Sequence, residues 1–127
     1  MATNYQGMRT VVSRAITEAD TNTTALVIDV PAKTFVPAYG VSLLVTEAFA
    51  GGTPSFTIGD GDDVDGWAVS TDLTEATIGA YNSVAAAYSI SGKYYATADT
   101  IDVVVSASLT DGTGYLIVQM LDLSDLV

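Results

Sequence analysis

The chain has 127 residues and carries fifteen carboxylates against four cations, a net charge of −11, with no His and no Cys. That length suits one domain with a core that needs no staple, and the missing thiols exclude disulfides. The missing imidazole excludes Ser-His-Asp and Cys-His nucleophiles, and so few cations disfavour binding to a phosphate backbone or an anionic membrane.

Glu, Gln, Lys and Arg together number nine, whereas Thr numbers seventeen and Val fifteen. Strong surface helix formers are scarce, and residues suited to a pleated, half-buried surface abound. The composition therefore predicts an all-β protein. The N-terminus lacks a basic region followed by an apolar core, so no secretory leader is expected. No apolar run approaches the roughly twenty residues that span a bilayer, which predicts a soluble chain made in a cytoplasm.

Residues 1–17 hold Arg9 and Arg14 and no acid (+2), while residues 18–127 hold fifteen acids and two lysines (−13), summing to −11. The first segment reads as an N-terminal arm or an edge strand, with Val11, Val12 and Ile16 as its apolar positions. Residues 18–127 read as the folded domain. Glu18 to Thr24 is a turn. Leu26, Ile28 and Val30 then alternate as a strand halted by Pro31. Thr34 to Val36 is a short apolar run ended by Pro37, and Val41 to Phe49 is a long strand. Gly51-Gly52-Thr53-Pro54 is the next turn. Phe56 and Ile58 open a strand that runs into Gly59-Asp60-Gly61-Asp62-Asp63-Val64-Asp65-Gly66, a long acidic loop ending on Trp67, the one Trp of the chain.

Beyond Trp67 the pattern weakens, with Asp72 and Glu75 spaced for one capped helical turn. Ser91-Gly92 reads as a tight hairpin turn between Tyr88–Ile90 and Tyr94-Tyr95. Ile101, Val103, Val105 and Ala107 alternate as a strand. Asp111-Gly112 is the strongest hairpin signal, predicting that Leu116, Val118 and Met120 pair back against that strand. Ile28-Asp29-Val30 and Ile101-Asp102-Val103 echo each other over too short a span to be a repeat. Eight to ten short strands separated by Gly, Pro and Asp predict a single antiparallel β-sandwich, jelly-roll-like, with no linker.

Three constellations carry candidate chemistry. Asp60, Asp62 and Asp63 are the residues a calcium ion would use, since it takes six to eight oxygens. Against the EF-hand pattern, however, Val64 and Thr71 fall where ligands are required, so a solvated Asp-Gly turn is the default and no metal or other cofactor is expected. The same carboxylates do not read as a glycosidase pair, because nothing in the loop desolvates one acid and not another. No enzyme activity is expected. Trp67, Tyr81, Tyr88, Tyr94 and Tyr95 read either as a sugar-stacking platform or as core and subunit interface.

The order of these signals carries a resemblance. Ile28-Asp29-Val30-Pro31-Ala32-Lys33-Thr34-Phe35-Val36 is followed by Val41 to Phe49, Gly51-Gly52-Thr53-Pro54 and the acidic loop to Trp67, then by Gly92-Lys93-Tyr94-Tyr95 and Asp99-Thr100-Ile101-Asp102-Val103. Over residues 25 to 121 this resembles small β-sandwich structural proteins of tailed bacteriophages, most closely the cement (decoration) proteins of cyanophage or podovirus-like heads. The module also resembles distal domains of tailspikes and tail fibres. The resemblance implies a homotrimer on the outer capsid surface, bridging copies of the major capsid protein and so resisting genome pressure. Under it, Arg9 and Arg14 are the candidate shell contacts and Tyr94 and Tyr95 the candidate trimer interface, with neither nucleic acid nor membrane as partner. The alternative is a tail-fibre receptor module, whose partner would be a host surface glycan.

Overall fold

A computed structural model describes residues 8–106 and 108–126. Within them the β-branched alternation produces ten strands, β1 (Met8–Val12), β2 (Ile16–Thr17), β3 (Thr23–Val30), β4 (Thr34–Val36), β5 (Val41–Ala50), β6 (Phe56–Gly59), β7 (Gly79–Tyr81), β8 (Lys93–Tyr95), β9 (Asp99–Val105) and β10 (Asp111–Asp122). They form two antiparallel sheets. One has three strands in the order β3-β9-β6, and the other seven, built around β10. The protein is an all-β sandwich, as the composition predicts.

Residues that pair twice fix the sides of β10. Val118 faces Val11 and Val41, Gly114 faces Ile16 and Val45, and Leu121 faces Met8 and Phe35. One edge of β10 therefore takes β5 and then β4, and the other takes β2 and then β1. Beyond β5 lies β7 and beyond β4 lies β8. Met8–Val12 thus sits as an edge strand, while residues 1–7 lie outside the described residues. Arg9, opposite buried Met120, is at the mouth of the sandwich. An inward charge on an edge strand discourages another strand from adding there.

The core fills the space between the sheets. Leu43, Val45, Leu116, Val118 and Met120 from the large sheet meet Ile28, Phe56, Ile58, Ile101 and Val103 from the small one, all buried. Phe49 and Phe56 pack edge to face at 4.8 Å between ring centroids, the geometry favoured by their quadrupoles.

The predicted Asp111-Gly112 hairpin is not formed, and the reason is edge occupancy. Val103 pairs with both Leu26 and Ile58, and Asp102 with both Val27 and Gly59, so β9 has no edge left for β10. The chain instead crosses from one sheet to the other. Gly112 serves as a bulge at φ +120°, where an added Cβ would run into Phe49. The echo Ile28-Asp29-Val30 and Ile101-Asp102-Val103 lies in one strand pair, with Ile28 opposite Ile101.

Two further expectations are corrected. Gly92 turns the chain at φ +75°, but residues 84–91 form no strand, and β8 pairs with β4 instead. The capped turn expected from Asp72 to Glu75 is replaced by a 3-10 turn at Ser70–Asp72. The Asp72 carboxylate is engaged elsewhere, accepting from Ser83 Oγ and from the Val84 and Ala85 amides at 2.6, 2.9 and 3.0 Å. Non-local donors outcompeted the local cap.

The two outer faces differ in chemistry. The small sheet turns Asp29 and Asp102 outward beside Val27, Thr100 and Val104, the alternation expected of a solvated face. On the large sheet, Val12, Ile117 and Ser42 form one outward row, and Tyr115, Leu44 and Ala80 another. A third row runs Met8, Leu121, Phe35, Tyr94 across four strands.

Candidate functional site

The acidic loop is closed at its neck by backbone pairing. Ile58 N–H donates to the Ala68 carbonyl at 3.1 Å, and the Trp67 and Ala68 amides donate to the Ile58 carbonyl at 2.9 and 2.8 Å. Inside that neck the chain must come very close to itself. A Cβ at Gly59 would collide with the backbone of Asp63 and Val64, which accounts for glycine at the end of β6.

Asp60 organises the loop. Its side chain has 0 % exposure, yet both oxygens are fully used. Oδ1 accepts the Asp62 and Asp63 amides, each at 3.0 Å, closing a tight turn. Oδ2 accepts the Lys93 ammonium and the Tyr95 hydroxyl, each at 2.7 Å. Trp67 Nε1–H donates in turn to Tyr95 Oη at 2.9 Å, and Tyr88 Oη donates to Asp60 Oδ1 at 3.3 Å. Lys93 Nζ also reaches Asp62 at 3.1 Å and lies over the Tyr88 ring, 4.4 Å from its centroid. Strand β8 thus aims Lys93 and Tyr95 through the sandwich edge at the loop, while Trp67 stacks edge-on against Tyr88 at 5.4 Å.

Electrostatics follow from this geometry. Burial alone would raise the Asp60 carboxyl, but Lys93, Tyr95 and the two loop amides hold it below the ordinary carboxylate value. Burial works against the Lys93 ammonium too, and Asp60, Tyr88 and Asp62 overcome it and push its pKa up. Tyr95 is pushed up chiefly by burial. Asp60, Lys93 and Tyr95 each stay in one protonation state near neutrality. The cluster is a buried ion pair with all hydrogen bonds made, a design that fixes geometry more than it adds stability.

That arrangement assigns the predicted site residues. Of the calcium candidates, Asp60 and Asp62 share the Lys93 ammonium where a cation would sit, and Asp63 accepts from the Asp65 amide at 3.3 Å. Asp99 comes within reach of Asp60 and Asp62 and accepts the Gly61 amide at 3.2 Å. The ammonium supplies the counter-charge from within the chain. Held ionised, Asp60 is also unsuited to act as a general acid.

The five aromatics form no continuous platform. Trp67 is 1 % and Tyr95 3 % exposed, and Tyr81 and Tyr88 pack against the core. Tyr95, one of the two residues of the expected trimer interface, lies in the interior of the fold, its hydroxyl taken up by Asp60 and Trp67. Tyr94, one residue earlier, faces outward at 44 % exposure.

The two arginines also part ways. Arg14 chelates Asp20 through both guanidinium nitrogens, at 2.8 and 3.0 Å. Asp20 in turn accepts the Thr17 amide in a capping box, which fixes the turn after β2. Arg9 lies exposed on β1, with Nη2 3.9 Å from the Met120 sulfur. Both line a groove of about 510 Å³ between the edges of β1 and β3, together with Val11, Leu26, Ile28 and Asp29.

Two features escaped the sequence reading. Lys93 was visible in Gly92-Lys93-Tyr94-Tyr95, but nothing local ties it to a carboxylate more than thirty residues earlier. The uncharged outer face had a signal in β10, where Tyr115, Ile117 and Leu121 interleave with Leu116, Val118 and Met120, leaving little polar alternation.

No family model matches the chain, and no curated protein matches its sequence. Among solved structures, a chain described as part of the cyanophage Pam1 capsid asymmetric unit superimposes with a TM-score of 0.62 at 16% identity. The superposition covers 96% of this chain and 91% of that one. The likeness is one of fold, over nearly the whole of both chains.

Proposed function

We propose that this protein is a structural component of a phage virion, an outer-capsid cement protein that bridges copies of the major capsid protein and stabilises the head. The observation that carries the reading is the whole-chain fold likeness to a chain from a phage capsid. Several features of the molecule support it. The loop most suggestive of chemistry is occupied by an internal ion pair, so its design is mechanical: Asp60 and Lys93 pin a long connection to the sandwich. The reading is non-enzymatic. A closed homotrimer bridging several shell subunits would gain avidity from each added contact. Arg9 is then the better of the two arginine candidates for the shell contact, since Arg14 holds the local turn.

The test is the copy number of this protein per particle, quantified against the major shell subunit in purified virions. A number of the same order as the shell subunit is expected, together with lower heat resistance of heads lacking the protein. A copy number a small fraction of the shell subunit would move the protein to a tail fibre, with a host surface glycan as its partner. Absence from virions would overturn both.

A further inference from the structure

From the chemistry of its two sheet faces, we infer that the outer face of the seven-stranded sheet is the surface on which a second copy of this chain packs, centred on Ile117 and Tyr115. The inference rests on the oligomeric part of the proposed function and supplies the residues for it.

A sandwich whose sheet faces water normally alternates apolar residues inward with polar or charged ones outward. The small sheet follows that rule. The large one does not, because no outward position of its strands between Tyr115 and Leu121 carries a charge, and charge resumes only at Glu47, opposite Thr113. With nineteen charged residues in the chain, fifteen of them acidic, such a face is an exception to the rest of the surface. Its apolar residues are open to solvent, with Met8 49 %, Val12 57 % and Tyr94 44 % exposed.

The charge balance selects the occupant. Two chains of −11 each repel one another over any pair of acidic surfaces. In a symmetric contact, residues near the axis also meet their own copies, where a charge meets like charge but a neutral side chain does not. An uncharged sheet face satisfies both conditions, and it is broad and regular where the exposed apolar residues Ile78, Val84 and Ile90 lie outside the strands. A partner recognised through charge would find nothing there to read.

The size is consistent with this. Three rows of three or four side chains, about 4.8 Å apart between strands and about 6.7 Å along them, cover roughly 300 Å² in projection. A standard interface takes about 800 Å² of accessible surface per partner, with an apolar centre and a polar rim. The rows supply the apolar side chains, the exposed and uncharged pair Thr10 and Gln119 lies between the Ile117 and Leu121 rows, and Thr46 lies at the margin.

The experiment measures the mass of the purified full chain by light scattering and sedimentation, at concentrations up to about 100 µM, for the wild type and three variants. Wild type is expected as a discrete oligomer of the 13.1 kDa chain. Ile117→Lys and Val12→Lys, which place like charges against each other, are expected to weaken association at least tenfold while far-UV circular dichroism stays unchanged. Val64→Lys, 60 % exposed on the acidic loop and away from the face, is expected to leave the oligomer intact. If Ile117→Lys fails to fold, Val12→Lys on the edge strand decides alone. A monomeric wild type overturns the inference without touching the copy-number test. So does an oligomer that both lysine variants preserve. A monomeric wild type whose binding to shells is lost in Val12→Lys would reassign the face to the major capsid protein.

Discussion

Replacing Lys93 with Met tests whether the acidic loop is held by a buried ion pair. The substitution keeps an unbranched side chain of similar length and removes the ammonium, which lies 2.7 Å from Asp60 and 4.4 and 4.8 Å from the Tyr88 and Tyr95 ring centroids. Deleting one partner of a buried pair costs about 3–5 kcal/mol, because the other is left as an uncompensated charge. Asp60 keeps the Tyr95 hydroxyl and two backbone amides, so the lower end, about 3 kcal/mol, is expected. For a domain of this size that corresponds to a fall in Tm of roughly 10 °C. Trp67, buried within the same cluster, reports the transition by fluorescence during urea unfolding, with circular dichroism as the global probe.

The pH dependence sharpens this test. In the wild type the folded Asp60 value lies below its unfolded one, so its contribution is present above the ordinary carboxyl value and is lost as pH falls through the folded value. Without Lys93, burial dominates and the carboxyl moves up. The gap between the two proteins should therefore be widest near neutral pH and narrow on acidification. Adding Asp60→Asn should recover at least about 1 kcal/mol, since the buried charge goes while the amide oxygen still accepts from the loop. A loss below about 1 kcal/mol at neutral pH, unchanged on acidification, would refute the reasoning by showing a solvated pair.

Other outcomes follow from the same geometry. Gly112→Val should destabilise by about 2 kcal/mol or more, because the Cβ meets Phe49 and φ is +120°; a Tm within about 2 °C of wild type would show that the bulge relaxes. Glu75 is raised by burial while accepting the Phe56 amide at 2.8 Å. A raised carboxyl stabilises most below its unfolded value and less as pH rises through its folded one, so wild type should gain stability on mild acidification from neutrality. Glu75→Gln should flatten that rise, as urea titrations at successive pH values would show. Calcium or a chelator should leave the wild-type Tm unchanged within about 1 °C, since Lys93 already neutralises Asp60 and Asp62. A calcium-dependent rise would mean the ammonium yields its place.

Much of the fold was legible because strand alternation is local. Leu26, Ile28 and Val30, then Val41, Leu43 and Val45, then Ile101, Val103 and Val105 declared their inward faces, and each is buried. What was not legible depended on competition between distant segments. Asp111-Gly112 has the composition of a hairpin turn, yet a turn can close a hairpin only if a free edge awaits the returning strand. Both edges of β9 are taken by β3 and β6. Asp72 has the composition of a helix cap, yet Ser83, Val84 and Ala85 reached it first.

The candidate site divides in the same way. The sequence by itself determined that Asp60 begins a glycine-rich turn, because an Asp side chain bonding the amides two and three residues on is a local interaction. It also determined the all-β class and the acid excess, which are sums over residues. Only the tertiary structure decided that Lys93 answers Asp60 and that Tyr95 points into the fold while Tyr94 points out. It decided too that the uncharged residues of β1, β4, β5, β8 and β10 share one face. Each of those facts requires strands far apart in sequence to be paired in a particular register, and a shift of one residue would turn Tyr94 inward and Lys93 away from its partner.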